Sequence, residues 1–392
     1  MSDPDAQRRR VQSVDLIRGI VLVLMALDHV RVYSGVSAGG ASAAVFFTRW
    51  VTHFCAPAFL FLAGTSIYLS NLRAPADARP SRQLVIRGLW LILLELTFIR
   101  FAWTFNFGHG ENLLAGVIWA IGWSMILMAG LIRLPRPAIL AFALLILVGH
   151  NLVGELFVQE SPWQSHYHWL FRVIYAGGWI ELGETGPELD VLYSIVPWVG
   201  VMAAGYWFGP ILLAEAKPRD RLCLLTGLAM IAAFVVLRVT SLYGDPRSWP
   251  EDYDWLPAWL AFFSPQKYPA SLQFLLMTLG PMLVAVPMFE RAAGRVSDTL
   301  RAIGRVPMFF YLLHIPLIHL LAVGIAAVRT PEALPWLFED HPLLAPPAPD
   351  GYVYGLGLLY ATWLAVVLLL VIPCRRYAAL RPKLPKRLRD LI

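Results

Sequence analysis

Charge is what this chain has least of. Of 392 residues only 15% are Asp, Glu, Lys or Arg, while 58% are hydrophobic, and the mean hydropathy is +0.61. A soluble domain is about half apolar and about a quarter charged, so a soluble fold is excluded. Cysteine is nearly absent: Cys55, Cys223 and Cys374 fall within or at the ends of apolar segments, which implies no disulfide framework. Cys55 follows His53 by two residues, yet a buried thiol there reads as packing before it reads as a covalent acyl carrier. There is no internal repeat, low-complexity linker or second soluble domain. The first apolar stretch lacks a small-residue cleavage site and carries Asp28, His29 and Arg31, so it is not a signal peptide.

What the chain does have is apolar runs of about membrane-spanning length. They fall near 15–34, 47–70, 84–103, 113–132, 136–152, 190–213, 220–243, 269–290, 305–328 and 352–374. The expectation is an all-α, polytopic integral membrane protein with about ten transmembrane helices. Its parts are an N-terminal segment 1–14, a membrane domain 15–374 and a basic tail 375–392. With a cytoplasmic N-terminus, the inner segments hold 24 of the 32 Lys and Arg residues. That bias puts both termini in the cytoplasm and suits a bacterial inner membrane. The net charge of +6 is thereby explained without nucleic acid, and the tail CRRYAALRPKLPKRLRDLI reads as an anchor to anionic lipid. Hydropathy does not separate lipid-facing from partner-facing surfaces, which leaves a homo-oligomer open.

On this topology no histidine falls in an inner loop. His29, His53, His150, His314 and His319 belong to helices, and His109, His166, His168 and His341 to outer loops. Histidine serves as acid, base or ligand near neutral pH, so polar work is expected in the outer half. His29, His53 and His319 reach similar depths, about 21–25 Å from the inner edge at 1.5 Å per residue. They lack any tight ligand pair such as HxxxH, and no metal is expected. His150 with Asn151 reads as an interfacial cap. Glu95, within LILLELTF, is either half of a packed ion pair or a substrate contact.

Arg18 and His29 stand eleven residues apart in LIRGIVLVLMALDHVRVY. On a helix that is almost three turns, about 16 Å along one face, with Leu22 and Met25 near the same stripe. Charged and titratable groups in a membrane segment mark a functional site. Asp28 could orient the His29 imidazole or pair with Arg31 at i+3. In GRVPMFFYLLHIPLIH, Tyr311 and His314 lie one turn apart on a helix interrupted by Pro316, and broken helices line cavities.

VDLIRGIVLVLMALDH resembles the opening helix of the membrane acyltransferase superfamily, whose signature is Arg, ten residues, then His. More narrowly, FFTRWVTHFCAPAFLFLAGTS, VIWAIGWSMI, IVPWVGVMAAGYWFG, QKYPASLQFLLMTLGP and GRVPMFFYLLHI resemble the bacterial relatives of heparan-α-glucosaminide N-acetyltransferase. The pattern departs in one place. The heparan-modifying enzyme carries Asn where His29 stands and has its catalytic His in the following loop, whereas residues 34–49 here hold no His.

The resemblance implies a transmembrane acyltransferase. It would move an acetyl group from cytosolic acetyl-CoA to a hydroxyl or amine of an extracytoplasmic sugar or glycan. His29 would be the catalytic base, oriented by Asp28 or reached by His53. Arg18 would meet the CoA phosphates or pantetheine, with Arg73, Arg87 and Arg305 extending that rim and Tyr311 and His314 on the cofactor wall. Direct transfer and a transient acyl-histidine both fit. The rival is a proton-coupled transporter or flippase of a small or lipid-linked solute, working through Glu95 and the histidines; the missing inverted repeat weighs against it. A green fluorescent protein fused to the C-terminus is expected to fluoresce and an alkaline phosphatase fusion to be inactive; the opposite pair of results would invert the topology.

Overall fold

The computed structural model describes residues 11–36, 42–72, 79–107, 112–157, 168–183, 186–252, 256–339, 343–344 and 347–385. Each apolar run carries a helix. The first five are α1 (Gln12–Tyr33), α2 (Ala43–Leu72), α3 (Pro80–Leu94), α4 (Arg100–Thr104) and α5 (Val117–Leu131). Next come α6 (Arg136–Phe157), α7 (His168–Phe171), α8 (Trp198–Leu213), α9 (Ala216–Thr240) and α10 (Ala258–Phe262). The chain closes with α11 (Leu272–Arg291), α12 (Arg295–Gly304), α13 (Pro307–Arg329), α14 (Leu334–Glu339) and α15 (Leu356–Leu380).

Among the described residues six helices are long and apolar enough to cross a membrane: α2, α6, α9, α11, α13 and α15. The expectation of about ten was drawn from run length alone. Helices α5 and α8 are apolar but shorter. Helix α1 has the length, and carries Asp15, Arg18, Asp28 and Arg31. Helix α3 passes through a π-helical turn, Glu95–Ile99, before continuing as α4. Helix α13 runs unbroken through Pro316, where the sequence suggested an interruption; losing one backbone bond is tolerated when neighbouring helices hold the segment.

Helix α1 is the hub, packed against α2, α11, α12, α13 and α15. Helix α8 packs along α2 and α6, α9 along α11, and α3 along α5. Small residues set the closest crossings. A Cβ on Gly64 would sit 1.9 Å from the Met202 carbonyl oxygen, and one on Gly205 1.9 Å from that of Phe61. Thr65 Oγ1 donates to the Gly205 carbonyl at 3.0 Å across the same seam. The start of α1 meets α12 in the same manner, through Gly19 and Gly304.

The fold is not purely helical. Strands β1 (Asn112–Leu114), β2 (Gly178–Glu181) and β3 (Glu188–Val191) form a sheet in the order β1-β3-β2, with β1 parallel and β2 antiparallel to β3. Leu189 and Val191 are buried with Ile180, Ala115 and Trp119 while Glu188 is exposed, the period-2 alternation of a one-sided strand. Two apolar runs therefore open as strands, and their helices begin at Val117 and Trp198. The all-α expectation is corrected to that extent. Cys55, Cys223 and Cys374 are buried free thiols.

Gly64→Ala is expected to lower the thermal midpoint of the purified protein, at a cost of about 1–3 kcal/mol from overpacking. Gly130→Ala and Gly324→Ala, where an added Cβ meets nothing within 4 Å, are expected to be neutral or slightly stabilising.

Candidate active site

Two cavities lie along α1. The larger, about 1010 Å³, is lined by Arg18 and Leu22 of α1, by Ser66, Ser70 and Asn71 of α2, and by Gln83, Arg87 and Trp90 of α3. Arg305, Tyr311 and Arg381 close its far side, and no acidic residue stands among its described lining. The smaller, about 40 Å³, is lined by Met25, Asp28 and His29 of α1, together with Thr52, Cys55, Ala56, Tyr193 and Lys267. Phe59 and Val117 line both. The stripe Arg18–Leu22–Met25–His29 thus runs from one cavity to the other, with a partition of two apolar side chains between them.

The arginine end is tied down by charge. The Arg18 guanidinium donates to the Leu62 carbonyl at 3.0 Å and to Ser66 Oγ, and lies 3.9 Å from Asp15. Arg305 Nε is 3.7 Å from the other oxygen of Asp15, and its carbonyl accepts from Arg381 at 2.9 Å. One carboxylate therefore holds two guanidinium groups at the cavity edge, and the lining as a whole favours an anion.

The histidine end is ordered by directional hydrogen bonds. His29 Nδ1 lies 2.7 Å from His314 Nε2, and His314 Nδ1 lies 2.7 Å from the Tyr311 carbonyl and 3.2 Å from that of Phe310. Carbonyls only accept, so His314 Nδ1 carries its proton. For two neutral imidazoles, His314 Nε2 must then accept, and His29 Nδ1 must donate. His29 Nε2 is left with its lone pair. The Trp103 ring meets His29 edge-on at 4.9 Å and further fixes its plane.

Most other polar groups around the small cavity are already engaged. Asp28 takes the second of its two expected roles, pairing with Arg31 at 3.0 Å, while the His29 hydrogen bond goes to His314. Thr52 Oγ1 donates to the Arg49 carbonyl at 2.6 Å, and Cys55 Sγ to that of Val21 at 3.2 Å.

The sequence-derived site residues sort as follows. Arg18, Arg87, Arg305 and Tyr311 share the large cavity, and Asp28 and His29 the small one. His314 reaches His29 instead of standing in the large cavity's lining. His53 is buried beside Phe274, ring centroids 5.5 Å apart, outside the small cavity's lining, and neither of its ring nitrogens has a partner among the described residues. Arg73, His109, His166 and His341 lie outside the described residues. His319 stacks between Phe105 and Tyr33 at 4.0 and 5.0 Å, so the three histidines of similar depth do not converge. Among the described residues no group of three or more His, Cys, Asp or Glu could hold a metal. Of the expected cap, Asn151 serves a helix end, its Oδ1 accepting from the Leu272 amide at 3.0 Å at the start of α11, whereas the His150 nitrogens lie 2.9 Å from the Ile146 and Ala270 carbonyls.

Glu95 takes neither expected role. Its carboxylate caps the N-terminus of α5, accepting from the Trp119 amide at 3.3 Å and from those of Ile118 and Gly116. An anion is stabilised there by the unpaired amides and the helix dipole. Tertiary packing supplies this partner, so LILLELTF alone could not name it.

Sequence reasoning missed Tyr193, Lys267, Arg381, Phe59 and Val117. One signal was available for Lys267. The chain's lysines are Lys217, Lys267, Lys383 and Lys386, and Lys267 is the one in an expected outer segment, against the positive-inside bias.

Apolar helices around a basic cavity and a histidine pair define an integral membrane protein with a polar interior site. Residues 10–243, more than half of the chain, match the family described as heparan-alpha-glucosaminide N-acetyltransferase, catalytic, and the chain belongs to that family. Membership carries a transmembrane acetyltransferase-like function. No curated protein matches the chain. The matched span contains Arg18, His29 and Glu95; Lys267, Arg305, Tyr311, His314 and Arg381 lie beyond it.

Glu95→Ala is expected to destabilise the protein by about 1–3 kcal/mol through unsatisfied amides at α5, with Glu95→Gln recovering most of the loss in the same thermal assay.

Proposed function

We propose that this protein takes an acetyl group from acetyl-CoA, held in the arginine-lined cavity, and passes it to a hydroxyl or amine activated by His29. The observation that carries the proposal is the relay from the Tyr311 carbonyl through His314 to His29. It leaves His29 Nε2 as a base, eleven residues along α1 from an arginine in a separate, basic cavity.

The cavities support a division of labour. About 1010 Å³ is at the upper end of ligand pockets and accommodates a cofactor of CoA's size. Its arginines offer bidentate partners to phosphates. About 40 Å³ holds little more than a single water, so only the reacting group of an acceptor enters, not a whole sugar. The donor thioester reaches it by displacing Phe59 or Val117. Arginines on the cytoplasmic side and histidines toward the outside would let a cytosolic donor meet an extracytoplasmic sugar or glycan.

In the reaction the acceptor's oxygen or nitrogen attacks the thioester carbonyl while its proton passes to His29 Nε2. The carbonyl electron pair moves onto oxygen. Collapse of the tetrahedral adduct expels the CoA thiolate, which takes the proton from His29. His314 holds the His29 tautomer and accepts charge density as the imidazolium forms, so it is a positioning residue.

The test is thiol release from acetyl-CoA by purified protein with amino sugars and polyols as acceptors. His29→Ala is expected to abolish transfer with the fold intact. His314→Phe is expected to lower kcat about 100-fold with the Kd for acetyl-CoA unchanged. Arg18→Gln with Arg305→Gln is expected to weaken acetyl-CoA binding about 10-fold or more. Full activity in His29→Ala would end the proposal, as would undiminished acetyl-CoA binding in the arginine double variant.

A further inference from the structure

The small cavity contains a charge that acid-base chemistry at His29 does not use. With one oxygen of Asp28 paired to Arg31, and Thr52 and Cys55 donating to backbone carbonyls, the polar groups left in its lining are His29, Tyr193, Lys267 and the second oxygen of Asp28. The Tyr193 hydroxyl itself accepts from the Tyr268 hydroxyl at 3.4 Å. Among the described residues no carboxylate lies within 4.0 Å of the Lys267 ammonium, which sits 5.0 Å from the centroid of the neighbouring Tyr268 ring.

Lys267 is also held unusually firmly for a loop lysine. Asp245 Oδ2 accepts from the Gln266 amide at 2.6 Å and from Ser271 Oγ at 2.7 Å, so one carboxylate oxygen grips the chain on both sides of Lys267. The Ser271 amide returns to the Gln266 carbonyl at 3.0 Å, and Lys267 and Ala270 form a bridge between them. Asp245 lies 4.0 Å from buried Arg238 and 3.9 Å from Arg247. Behind this turn, His150 Nε2 sits 2.9 Å from the Ala270 carbonyl. These bonds fix the backbone that sets Lys267 in the lining of a cavity of about 40 Å³.

We propose that Lys267 is a catalytic residue, the fixed positive charge that holds the oxyanion formed when an acceptor activated by His29 attacks the thioester carbonyl. The inference rests on the acetyl transfer proposed above and adds its missing electrostatic half. The case is geometric: His29 and Lys267 line the same small cavity, so a carbonyl carbon attacked from the His29 side, once the partition yields, carries its oxygen within reach of the Lys267 side chain. The electron pair that leaves the carbonyl π bond resides on that oxygen and returns as the CoA–sulfur bond breaks. Lys267 donates a hydrogen bond throughout and keeps its proton. A charge already in place, in a site whose remaining walls include apolar Met25 and Ala56, is the arrangement in which electrostatic stabilisation is worth most.

Thiol release from acetyl-CoA should be followed with water as the sole acceptor and with glucosamine added, using wild type, Lys267→Met, Lys267→Arg and His29→Ala. Lys267→Met is expected to lower kcat about 100- to 1000-fold with either acceptor, at unchanged acetyl-CoA Kd, and Lys267→Arg to recover part of the loss. A raised KM for glucosamine with kcat intact, or a loss confined to glucosamine, would make Lys267 an acceptor-binding residue and overturn the inference. Wild-type kcat in Lys267→Met beside a dead His29→Ala would overturn it too, and would leave the acetyl transfer standing. No thiol release by wild type with either acceptor would remove both. Should Lys267→Met fail to fold, shown by loss of acetyl-CoA binding, Lys267→Gln carries the same comparison.

Discussion

Burying α1 presses its charged groups to find protein partners, and the rest of the site follows from how they are satisfied. In an apolar interior an unpaired charge or donor costs several kcal/mol. Asp15 meets Arg18 and Arg305, Asp28 meets Arg31, and His29 meets His314. The Ser13 amide donates to Glu290, and the Tyr33 hydroxyl to the Trp103 carbonyl. These bonds reach α4, α11 and α13 and the segment around Arg305, so the helices that cover α1 are also those that complete its chemistry. Close backbone approach at Gly19 and Gly304 brings Arg305 to Asp15.

The two cavities inherit this logic. At the arginine end the partners leave guanidinium groups facing a large space with no acidic residue among its described lining; at the histidine end they leave His29, Tyr193, Lys267 and one oxygen of Asp28 in the lining. Glu95 belongs to the same economy, since capping α5 fixes the start of the helix whose first residue, Val117, forms half of the partition. The sheet contributes from the other side: β1 runs into α5, and the Tyr193 amide donates to the Ala115 carbonyl just after β3. The family match covers the half of the chain that supplies His29 and Arg18, while the groups completing both cavities come from the half beyond it.

Local pattern was enough for the helices and for the α1 stripe. Apolar runs of about 20 residues have few folds open to them in an apolar environment, because the backbone must satisfy itself. A period of 3.6 residues placed Arg18, Leu22, Met25 and His29 on one face without reference to any neighbour. The cationic rim was legible for a related reason, as Arg87 and Arg305 sit at segment ends where topology collects positive charge. Strands β1 and β3 were less legible, being short, apolar and continuous with helices.

Which group meets which across the bundle was decided by packing alone. His29 and His314 are 285 positions apart, and their contact depends on how α13 is rotated against α1, which the α13 segment's apolarity on all sides does not specify. The same holds for Glu95 at the α5 amides, for His53 set apart beside Phe274, and for Lys267 brought in by a turn clamped on Asp245. Segment identity and the face a residue occupies are properties of a single helix, written in spacing. Partners, tautomers and the shape of a cavity belong to several helices at once, and only their docking defines them.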